Sequence, residues 1–434
     1  MIPTPDLHSQ IAPKILSADE VFARIGDART IVDSMAASEP LCFFESLGEK
    51  CPAFQERVRV FCANPSRNYP CFQKPELCKS LELVVMFLTA PVRAEQGRDL
   101  VHYFPHHLSQ WAGLIKELGV DFFWGSCSLP DERGFVTLGP SACYEPEIAR
   151  VARTVVLEMN PRMPVTFGST LLPLRDVDYF IETDHPLPSI AKAASDEVDR
   201  KIASYVAELV EDGSTIQLGI GSIPNAVGEA LASKKDLGVH TEMINDAIMD
   251  LYLQGVVTGA CKTRWPGKII GSFAYGTAEL YRFIDRNPTV ELHPASVVND
   301  PWRLARNHRQ VSINTAVEVD LTGQVCSESV GHRELSGIGG ASETHIGAQR
   351  SPGGKGIIAL HSLTSRGESK IVFELKPGAK VSISRNDIDT VVTEHGIAKL
   401  KGNSVAERVR AMVAIAHPRF RDELLVLAKK EHYL

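Results

Sequence analysis

Short apolar runs alternate with amphipathic segments along the whole chain, and this alternation limits the possible folds more than any other feature. The apolar runs have the length of strands, and several of the segments between them have the spacing of helices. Strands that are separated by helices favour a mostly parallel α/β architecture. The strand-like runs include ERVRVF, VDFFWGSCSL, RTVVLEMN, STIQLGIG, GVHTEM, GKIIGSF, GIIALHS and KIVFEL, and the helix-like segments include SIPNAVGEALAS and INDAIMDLYLQG.

The length of the chain suggests two domains. Of its 434 residues, 44% are hydrophobic and 23% are charged, so a large core is available and neither disulfides nor a structural metal is needed for stability. Pro186 and Pro188 interrupt regular structure near the middle, and a long amphipathic helix is predicted from about Ser189 to Val210. We therefore predict domains at residues 1–188 and 189–434.

Charge and cysteine content argue against several classes of protein. The formal net charge is −7 and basic residues form no block, which argues against nucleic acid or an anionic membrane as a partner. The nine cysteines are scattered without a C-x-x-C pair, a pattern that does not predict a disulfide framework. No signal peptide or membrane span is recognisable, and we expect a soluble cytoplasmic protein.

A glycine-rich turn follows the apolar run STIQL. Gly219, Ile220 and Gly221 lie between this strand and a helix that is predicted to begin near Pro224. Glycines at such a turn let backbone N–H groups approach a ligand oxygen, and the helix N-terminus adds positive potential. Pro224 occupies the place of the third glycine of a dinucleotide fingerprint, and no G-K-[ST] follows, so neither nucleotide motif is present. A tight turn without any ligand explains this stretch equally well.

Glu242 stands in an apolar setting, in the segment VHTEMINDAIMDL. Burying an ionised carboxylate is costly unless something compensates it, so Glu242 is either paired in a salt bridge or kept for its chemistry. It follows Gly221 by 21 residues, which is about one strand–turn–helix–strand excursion. The two strand ends are then neighbours at the edge where α/β sheets bind ligands. A carboxylate beside an anion-binding turn suits acyl chemistry, in which the carboxylate attacks a carbonyl and N–H groups stabilise the oxyanion.

Further candidate contacts lie in three other segments, each of them weak by itself. The segment ESVGHRELSGIGGASE contains a flexible loop with Gly337, Gly339 and Gly340, which suits a pyrophosphate or a thioester arm. The segment QRSPGGKG places Lys355 beside a glycine pair, where it would meet a phosphate. Asn314 adds a polar group to the strand-like run VSINTAV.

Two common kinds of site find no support in the sequence. His106 and His107 are adjacent, so their side chains diverge on a helix or a strand, and no H-E-x-x-H or cysteine–histidine cluster has ligand spacing. We therefore predict no metal. A serine hydrolase would require a G-x-S-x-G elbow, which the sequence lacks.

Taken together, these segments resemble the acetyl-CoA hydrolase/transferase family, a branch of the class I CoA-transferases that includes 4-hydroxybutyrate CoA-transferases. Residues 1–190 resemble the family more loosely, mainly at IGDARTIVDSMAASEP and YFPHHLS. The resemblance implies two similar open α/β domains of the NagB/RpiA/CoA-transferase-like type, with the active site at their interface. The segments that carry it, in the family's order and with similar spacing, are IQLGIGSIPNAV, VHTEMINDAIMDL, VELHPASVVNDP, VSINTAVEVDLTGQV, SGIGG, SRNDIDTVVTEHGIAKLKG and AIAHPRFRDEL.

The resemblance also implies a reaction and a set of residue roles. The reaction is transfer of CoA between a short-chain acyl-CoA and a small acid such as acetate, butyrate or 4-hydroxybutyrate, by a ping-pong mechanism through a glutamyl-CoA thioester. Glu242 is then the nucleophile, CoA is substrate and product, and a homodimer or homotetramer is expected. The turn that contacts CoA and the thioester oxygen comprises Gly219, Ile220, Gly221, Ser222 and Ile223, and the other CoA contacts are Asn314, Gly337, Gly339, Gly340 and Lys355.

Three features depart from the pattern of this family. After SGIGG the chain continues with ASETHIGAQR, where the family usually has a glutamine, an aspartate–aromatic pair and R-G-A. His361 stands where a proline is usual, and Met35, which we assign to the acyl pocket, stands where the 4-hydroxybutyrate enzymes have histidine. These differences leave the acid undetermined. Two alternatives also stay open: an acyl-CoA hydrolase that uses the same site, and a non-catalytic CoA-binding protein, against which the intact Glu242 argues.

Overall fold

The chain forms two compact units in the computed structural model, which describes residues 7–54, 56–74, 76, 78–95 and 99–434. The first unit extends to Ile190 and also contains Gly271–Val297, and the second comprises Ala191–Ile270 and Val298–Leu434. The division that the sequence suggested, at 188/189, lies close to the first crossing between the units. The sequence did not indicate that residues 271–297 return to the first unit.

Backbone hydrogen bonds hold the returning segment in the first unit. The N–H of Ala142 donates to the carbonyl of Ser272, and the N–H of Ser169 donates to the carbonyl of Leu292. These are non-local contacts, and a reading of strand and helix patterns along the chain does not reveal them.

Sixteen α-helices and twenty-five strands make up the described part of the two units. In chain order, the helices are α1 (Leu7–Ile11), α2 (Ala18–Phe22), α3 (Leu41–Lys50), α4 (Pro70–Gln73), α5 (Ala90–Arg93), α6 (Leu108–Leu118), α7 (Glu145–Ala149), α8 (Glu197–Leu209), α9 (Ser222–Ala230), α10 (Asp246–Leu253), α11 (Ala278–Ile284), α12 (Ala295–Val298), α13 (Pro301–Leu304), α14 (Ala341–Arg350), α15 (Val405–Ile415) and α16 (Pro418–Lys430). The strands are β1 (Thr30–Asp33), β2 (Val58–Cys62), β3 (Leu81–Val85), β4 (Val101–Tyr103), β5 (Phe122–Cys127), β6 (Phe135–Thr137), β7 (Thr154–Met159), β8 (Phe167–Gly168), β9 (Leu171–Pro173), β10 (Tyr179–Glu182), β11 (Thr215–Leu218), β12 (Gly238–His240), β13 (Met243–Ile244), β14 (Ile269–Gly271), β15 (Phe273–Ala274), β16 (Val290–Leu292), β17 (Gln310–Thr315), β18 (Glu318–Asp320), β19 (Val325–Cys326), β20 (Ser329–Val330), β21 (Arg333–Glu334), β22 (Lys355–Ala359), β23 (Ile371–Val372), β24 (Thr390–Thr393) and β25 (Gly396–Lys399).

The first unit is built on a seven-stranded sheet in which every pair of neighbouring strands is parallel. Its strand order is β10-β7-β5-β1-β2-β3-β4. The chain begins in the middle at β1, continues outward through β2 to β4, and crosses to the other side of β1 with β5. The carboxyl ends of β1 and β5 therefore flank a topological switch point, where sheets of this kind bind ligands. A core with the aromatic residues Phe43, Phe44 and Trp124 packs against this sheet.

The second unit repeats this arrangement with β11 as its central strand. Its strand order is β25-β24-β22-β17-β11-β12-β14, and the pairs are parallel except for β24 with β25. The chain passes from β11 to β12 and β14 on one side and then begins the other side with β17. The carboxyl ends of β11 and β17 flank the switch point of this sheet. The two sheets confirm the predicted α/β fold with mostly parallel strands.

The helix that was predicted from about Ser189 begins later, at Glu197. Asp196 is its N-cap, and the side chains of Asp196 and Asp199 each accept the backbone N–H of the other in a capping box. This reciprocal pair satisfies two N–H groups that would otherwise lack acceptors, so it fixes the start of α8 at this point. Near the C-terminus, Pro418 follows α15 and is the first residue of α16, a position where proline is favoured because it needs no N–H partner.

The structure also bears on the predictions about cysteine pairing and membrane spans. Cys51 and Cys78 form a disulfide, with Cα atoms 5.3 Å apart, so the expectation that the cysteines would not pair is wrong for these two. They lie 27 residues apart, after α3 and before β3, and only the fold brings them together. In the part of the chain that the structure describes, no helix is long and apolar enough to cross a membrane.

Candidate active site

Glu242 lies just beyond the carboxyl end of β12, beside the glycine turn that follows β11. The two strands are parallel neighbours, with Ile216 opposite Val239, so their ends meet at one edge of the sheet. The hydroxyl of Thr241 accepts the N–H of Leu218 at 3.4 Å. The predicted spacing therefore does bring the glutamate and the turn to the same edge.

Asn245 links the segment that contains Glu242 directly to the turn. Its Oδ1 accepts the N–H of Ile248 at 3.1 Å and caps α10, and its Nδ2 donates to the carbonyl of Gly219 at 2.8 Å. One side chain thus fixes both the start of the helix after the glutamate and the start of the turn.

Two donors hold the carboxylate of Glu242. The Nδ2 of Asn299 donates to Oε2 at 2.8 Å, and the backbone N–H of Gly340 donates a second hydrogen bond. A Cβ at Gly340 would lie 2.1 Å from that oxygen and 1.8 Å from the Asn299 amide, so any side chain there would displace the pair. Burial raises the pKa of Glu242, and the hydrogen bonds from Asn299 and Gly340 oppose this rise without cancelling it.

His240 positions the segment that carries Asn299. Its ring is fully buried; Nε2 lies 2.9 Å from the carbonyl of Val298, and Nδ1 lies 3.0 Å from the amide Nδ2 of Asn307. The amide is a donor, so Nδ1 is the acceptor and Nε2 carries the proton that bonds to Val298. Sequence reasoning missed Asn299, although the run VVNDP that contains it was among the segments similar to the family.

The turn after β11 presents backbone donors. The N–H of Gly219 continues the sheet by donating to the carbonyl of Ile313 at 3.3 Å. Among the described residues, no acceptor is found for the next four N–H groups, from Ile220 to Ile223. Gly221 has φ +116° and ψ −175°, a backbone conformation that is essentially restricted to glycine. The turn can therefore offer several N–H groups to an oxyanion at the edge where Glu242 stands.

Comparison with known proteins places this chain in a family. Residues 5–191 match the acetyl-CoA hydrolase/transferase N-terminal domain, and residues 276–428 match the acetyl-CoA hydrolase/transferase C-terminal domain. The chain belongs to the acetyl-CoA hydrolase/transferase family. This confirms the resemblance that the sequence motifs suggested.

Named relatives and a solved structure cover nearly the whole chain. The 4-hydroxybutyrate coenzyme A transferase of Clostridium kluyveri is 37% identical over 96% of this chain and 97% of its own length. The succinyl-CoA:cyclohexane-1-carboxylate CoA transferase of Geobacter metallireducens is 36% identical over 96% and 95%. The crystal structure of RipA from Yersinia pestis matches with a TM-score of 0.93 and 32% identity over 99% of this chain and 100% of that one.

The second glycine loop of this acetyl-CoA hydrolase/transferase family member contacts the glutamate. A Cβ at Gly339, which has φ +55°, would lie 3.3 Å from Oε1 of Glu242, and Gly340 lies closer still. Gly337 stands three residues before Gly340 in the same loop. Gly339 and Gly340 thus lie beside the carboxylate of Glu242, and the predicted contact of this loop with CoA stays a prediction.

Asn314 belongs to a buried hydrogen-bond network within the second unit. It is 9% exposed; its Oδ1 accepts from Gln217 at 3.2 Å, and its Nδ2 lies within hydrogen-bond distance of Ser312 and Thr344. The network joins β17 to β11 and to α14. Its amide is hydrogen-bonded within the protein, and the predicted CoA contact of Asn314 stays a prediction.

Lys355 lies at the edge of the sheet opposite to Glu242. It is the first residue of β22, and its Nζ donates to the Glu211 carboxylate and to the carbonyl of Leu209, both at 2.9 Å. A strand of five residues spans roughly 16 Å, so Lys355 lies about that far from the carboxyl end of its own strand. The glycine pair beside Lys355 precedes the strand, and the predicted CoA contact stays a prediction.

Met35 lies in the first unit, directly after β1. It is 6% exposed, and its backbone N–H donates to Oε1 of Glu145 at 3.1 Å. Two further buried carboxyl groups, Asp33 and Glu39, lie close by. Burial raises the pKa of all three acids, that of Glu39 to about 7. The assignment of Met35 to an acyl pocket stays a prediction.

Two clusters of potential metal ligands occur among the described residues, and both are already hydrogen-bonded. The carboxylate of Glu158 accepts N–H groups from the first turn of α3 at 2.8 and 3.0 Å, where the helix dipole disfavours a cation. In the second cluster, hydrogen bonds from neighbouring groups occupy both oxygens of Asp199. We assign no metal to either cluster; they are Cys42, Glu158 and His185, and Asp196, Asp199 and His361.

A cavity of about 800 Å³ lies in the first unit. It is lined by residues that follow β5, β7 and β10 and by part of α11, including Ser128, Arg162, Tyr281 and Arg286. None of its lining residues is among the site residues predicted from the sequence.

Proposed function

We propose that the protein is an acyl-CoA:carboxylate CoA-transferase that works through a covalent intermediate on Glu242. One observation carries the proposal: a carboxylate held by Asn299 and Gly340 stands at the same sheet edge as a turn whose N–H groups at 220–223 have no acceptor among the described residues. A nucleophile and an oxyanion site are the two elements that acyl transfer requires.

The reaction begins with attack of a Glu242 oxygen on the carbonyl carbon of the acyl-CoA. The carbonyl oxygen becomes an oxyanion that the N–H groups of the turn at 220–223 stabilise, and the C–S bond then breaks. The products of this step are a mixed acyl–glutamyl anhydride and the CoA thiolate. The thiolate attacks the glutamyl carbonyl, the original acid leaves as a carboxylate, and the enzyme holds CoA as a glutamyl thioester.

The second half of the reaction repeats these steps in the reverse direction. An acceptor carboxylate attacks the glutamyl thioester, CoA leaves as thiolate, and the thiolate attacks the acceptor acyl group of the new anhydride. Glu242 is released as a carboxylate, and the acceptor leaves as its CoA ester. No external base is required, because the nucleophile and both acids react as anions.

The donors around Glu242 suit this chemistry. Burial raises the pKa of Glu242, but the hydrogen bonds from Asn299 and Gly340 favour the ionised carboxylate. They therefore increase the fraction of Glu242 that can act as a nucleophile. The same donors would stabilise the negative charge that returns to this carboxylate when the anhydride breaks. They also hold the carboxylate in one orientation, so less entropy is lost when the transition state forms.

The names of two relatives support a proposal for the substrate class. The Clostridium kluyveri relative is named for 4-hydroxybutyrate, and the Geobacter metallireducens relative is named for succinyl-CoA and cyclohexane-1-carboxylate. All three are derived from small organic acids. We propose a short-chain acyl-CoA as donor and a small carboxylic acid as acceptor, in a cytoplasmic homodimer or homotetramer. Hydrolysis of acyl-CoA is the second candidate; it is favoured by the partial exposure of Glu242 to solvent, since water would then reach the intermediates.

Trapping of the thioester tests both candidates. The protein is incubated with acetyl-, propionyl-, butyryl- or succinyl-CoA without acceptor and reduced with borohydride, which converts a glutamyl thioester into an alcohol. Peptide mapping is expected to find the alcohol at Glu242, and none in Glu242→Gln. Glu211→Gln, a glutamate paired with Lys355 at the opposite edge, is the matched control and is expected to be labelled at Glu242 as in the unaltered protein.

The outcomes separate the two reactions. Labelling that persists until an acceptor acid is added supports the transferase. Labelling that decays without acceptor while free CoA accumulates supports the hydrolase. If no ester labels Glu242 and no CoA is released, the mechanism is wrong.

A further inference from the structure

Asp199 joins three segments of the second unit. It lies in the first turn of α8 and is 2% exposed. Its Oδ2 accepts the N–H of Asp196 at 3.0 Å as part of the capping box, and its Oδ1 accepts the hydroxyl of Ser222 at 3.0 Å and Nε2 of His361 at 2.8 Å. The capping box uses only one oxygen of the carboxylate, so the second is available to other segments.

Ser222 connects Asp199 to the glycine turn. It is the first residue of α9, directly after Gly221, and its hydroxyl donates to Asp199. Its carbonyl accepts the hydroxyl of Ser195 at 3.1 Å. At the other end of the turn, Asn245 donates to the carbonyl of Gly219. Both ends of the turn are therefore held by side chains of other segments.

His361 is a second partner of the Asp199 oxygen that accepts from Ser222. It follows β22, two strands away from β11 in the sheet. Burial by itself would raise the pKa of Asp199, but hydrogen bonds from Asp196, His361 and Ser222 outweigh it, and the pKa lies below the usual aspartate value. Asp199 is thus an ionised acceptor at neutral pH, and hydrogen bonds to a charged acceptor are stronger than neutral ones.

We infer that Asp199 is a positioning residue for acyl transfer, acting through Ser222 on the direction of the N–H groups at 220–223, with His361 fixing Asp199 in turn. The inference rests on the proposed function, because the direction of these groups matters only if an oxyanion forms there. Donors that are oriented beforehand stabilise charge in the transition state without reorganisation. Loosening the turn is therefore expected to slow the covalent step more than it weakens substrate binding.

The test compares Ser222→Ala with Ser222→Thr, which restores a hydroxyl. Thioester formation at Glu242 is followed in single turnovers by borohydride trapping, at several acyl-CoA concentrations. We expect Ser222→Ala to lower the maximal trapping rate roughly 10-fold, with the half-saturating concentration within about 2-fold, and Ser222→Thr to recover most of the rate. His361→Ala is expected to lower the rate in the same direction, since Asp199 then loses one donor.

A double-mutant cycle separates this role from a general effect on folding. Asp199→Asn and Ser222→Ala together are expected to cost little more than Asp199→Asn alone, because both changes alter the contact between Asp199 and Ser222. Ser204→Ala is the control: this serine lies on α8, exposed, and its hydroxyl donates to the carbonyl of Lys201 in the same helix. It is expected to leave the trapping rate unchanged.

Three results would overturn the inference while the proposed function stands. They are an unchanged trapping rate in Ser222→Ala, additive effects in the double-mutant cycle, or a loss in Ser222→Ala that Ser222→Thr shares in full. If the unaltered protein forms no thioester at Glu242, the proposed function itself fails, and the inference falls with it.

Discussion

The central strand of each sheet ends in a turn, and the two turns use their backbone N–H groups differently. In the second unit, the N–H groups at 220–223 have no acceptor within the described part of the chain. In the first unit, the turn after β1 is closed by the protein itself. There the N–H groups of Ser34, Met35 and Ala36 donate to the carbonyl of Trp124, Oε1 of Glu145 and Oδ1 of Asn64.

This difference shows that a position at a switch point does not by itself make an anion site. Each turn follows the strand at which the chain enters the interior of its sheet, β1 in the first unit and β11 in the second, so the two turns occupy the same topological position. The closed turn has Asp33, Glu39 and Glu145 around it, and these acids would repel an anionic ligand when ionised. In the second unit, the nearby carboxylate of Glu242 is held by Asn299 and Gly340 and leaves the turn open.

The open turn is most sensitive to a side chain at Gly221. Its φ of +116° with ψ −175° lies in a region that costs a non-glycine residue on the order of 1–3 kcal/mol. Space is not the obstacle, because the nearest described neighbour of a Cβ there would be Pro224, at 4.0 Å. We expect Gly221→Ala to turn the N–H groups away and to lower kcat by roughly 10²-fold, the effect of losing one oxyanion donor. Steady-state kinetics with acyl-CoA and an acceptor acid measure this.

Gly113→Ala supplies the matched control, because a Cβ there would meet no atom of the described residues within 4 Å and φ is not positive. It is expected to retain the kinetics of the unaltered protein. Full activity in Gly221→Ala would mean that the turn at 220–223 is not the oxyanion site.

The closed turn is expected to make the first unit sensitive to pH. Burial raises the pKa of Glu39 from the usual 4.5 to about 7, so the folded state binds more protons than the unfolded state between these values. Stability is then present at low pH and falls as pH rises through about 7, by about 3 kcal/mol for this group alone. Hydrogen exchange of peptides from the first unit, measured between about pH 5 and 8, is expected to show this fall, with a smaller slope in Glu39→Gln. An equal slope in both proteins would show that Glu39 ionises without cost.

How much of this site the sequence could predict depends on how local each part is. The glycine turn and Glu242 lie in one strand–helix–strand excursion, so their spacing was enough to place them together. Asn299 comes from a segment 57 residues further on, and only the fold brings it to the carboxylate. For Lys355 the local pattern was not sufficient. Its glycine neighbours suggested a phosphate contact, but the motif does not reveal that Lys355 lies at the first position of β22.

The donors that hold Glu242 also predict the pH dependence of catalysis. Burial raises the pKa of this nucleophile and Asn299 lowers it, so the acid limb of kcat/KM is expected above the ordinary glutamate value. Asn299→Ala removes the lowering contribution and is expected to move the limb to higher pH. At a fixed pH below the limb, the activity of this variant is then expected to fall, because a smaller fraction of Glu242 is ionised. A limb at the same pH in both proteins would indicate that a group other than Glu242 controls the profile.

The smallest expected effect concerns the strain of the closed turn. Ala36 has φ +55°, which costs a residue with a Cβ on the order of 1 kcal/mol compared with glycine. Its N–H donates to Asn64 at 3.1 Å, and this contact explains why the strained conformation is kept. Ala36→Gly removes the strain but gives the unfolded chain more freedom, so we expect a stabilisation of at most about 1 kcal/mol in urea unfolding. A destabilisation larger than that would mean that the alanine side chain itself contributes to packing, and that the turn is closed by contacts as well as by hydrogen bonds.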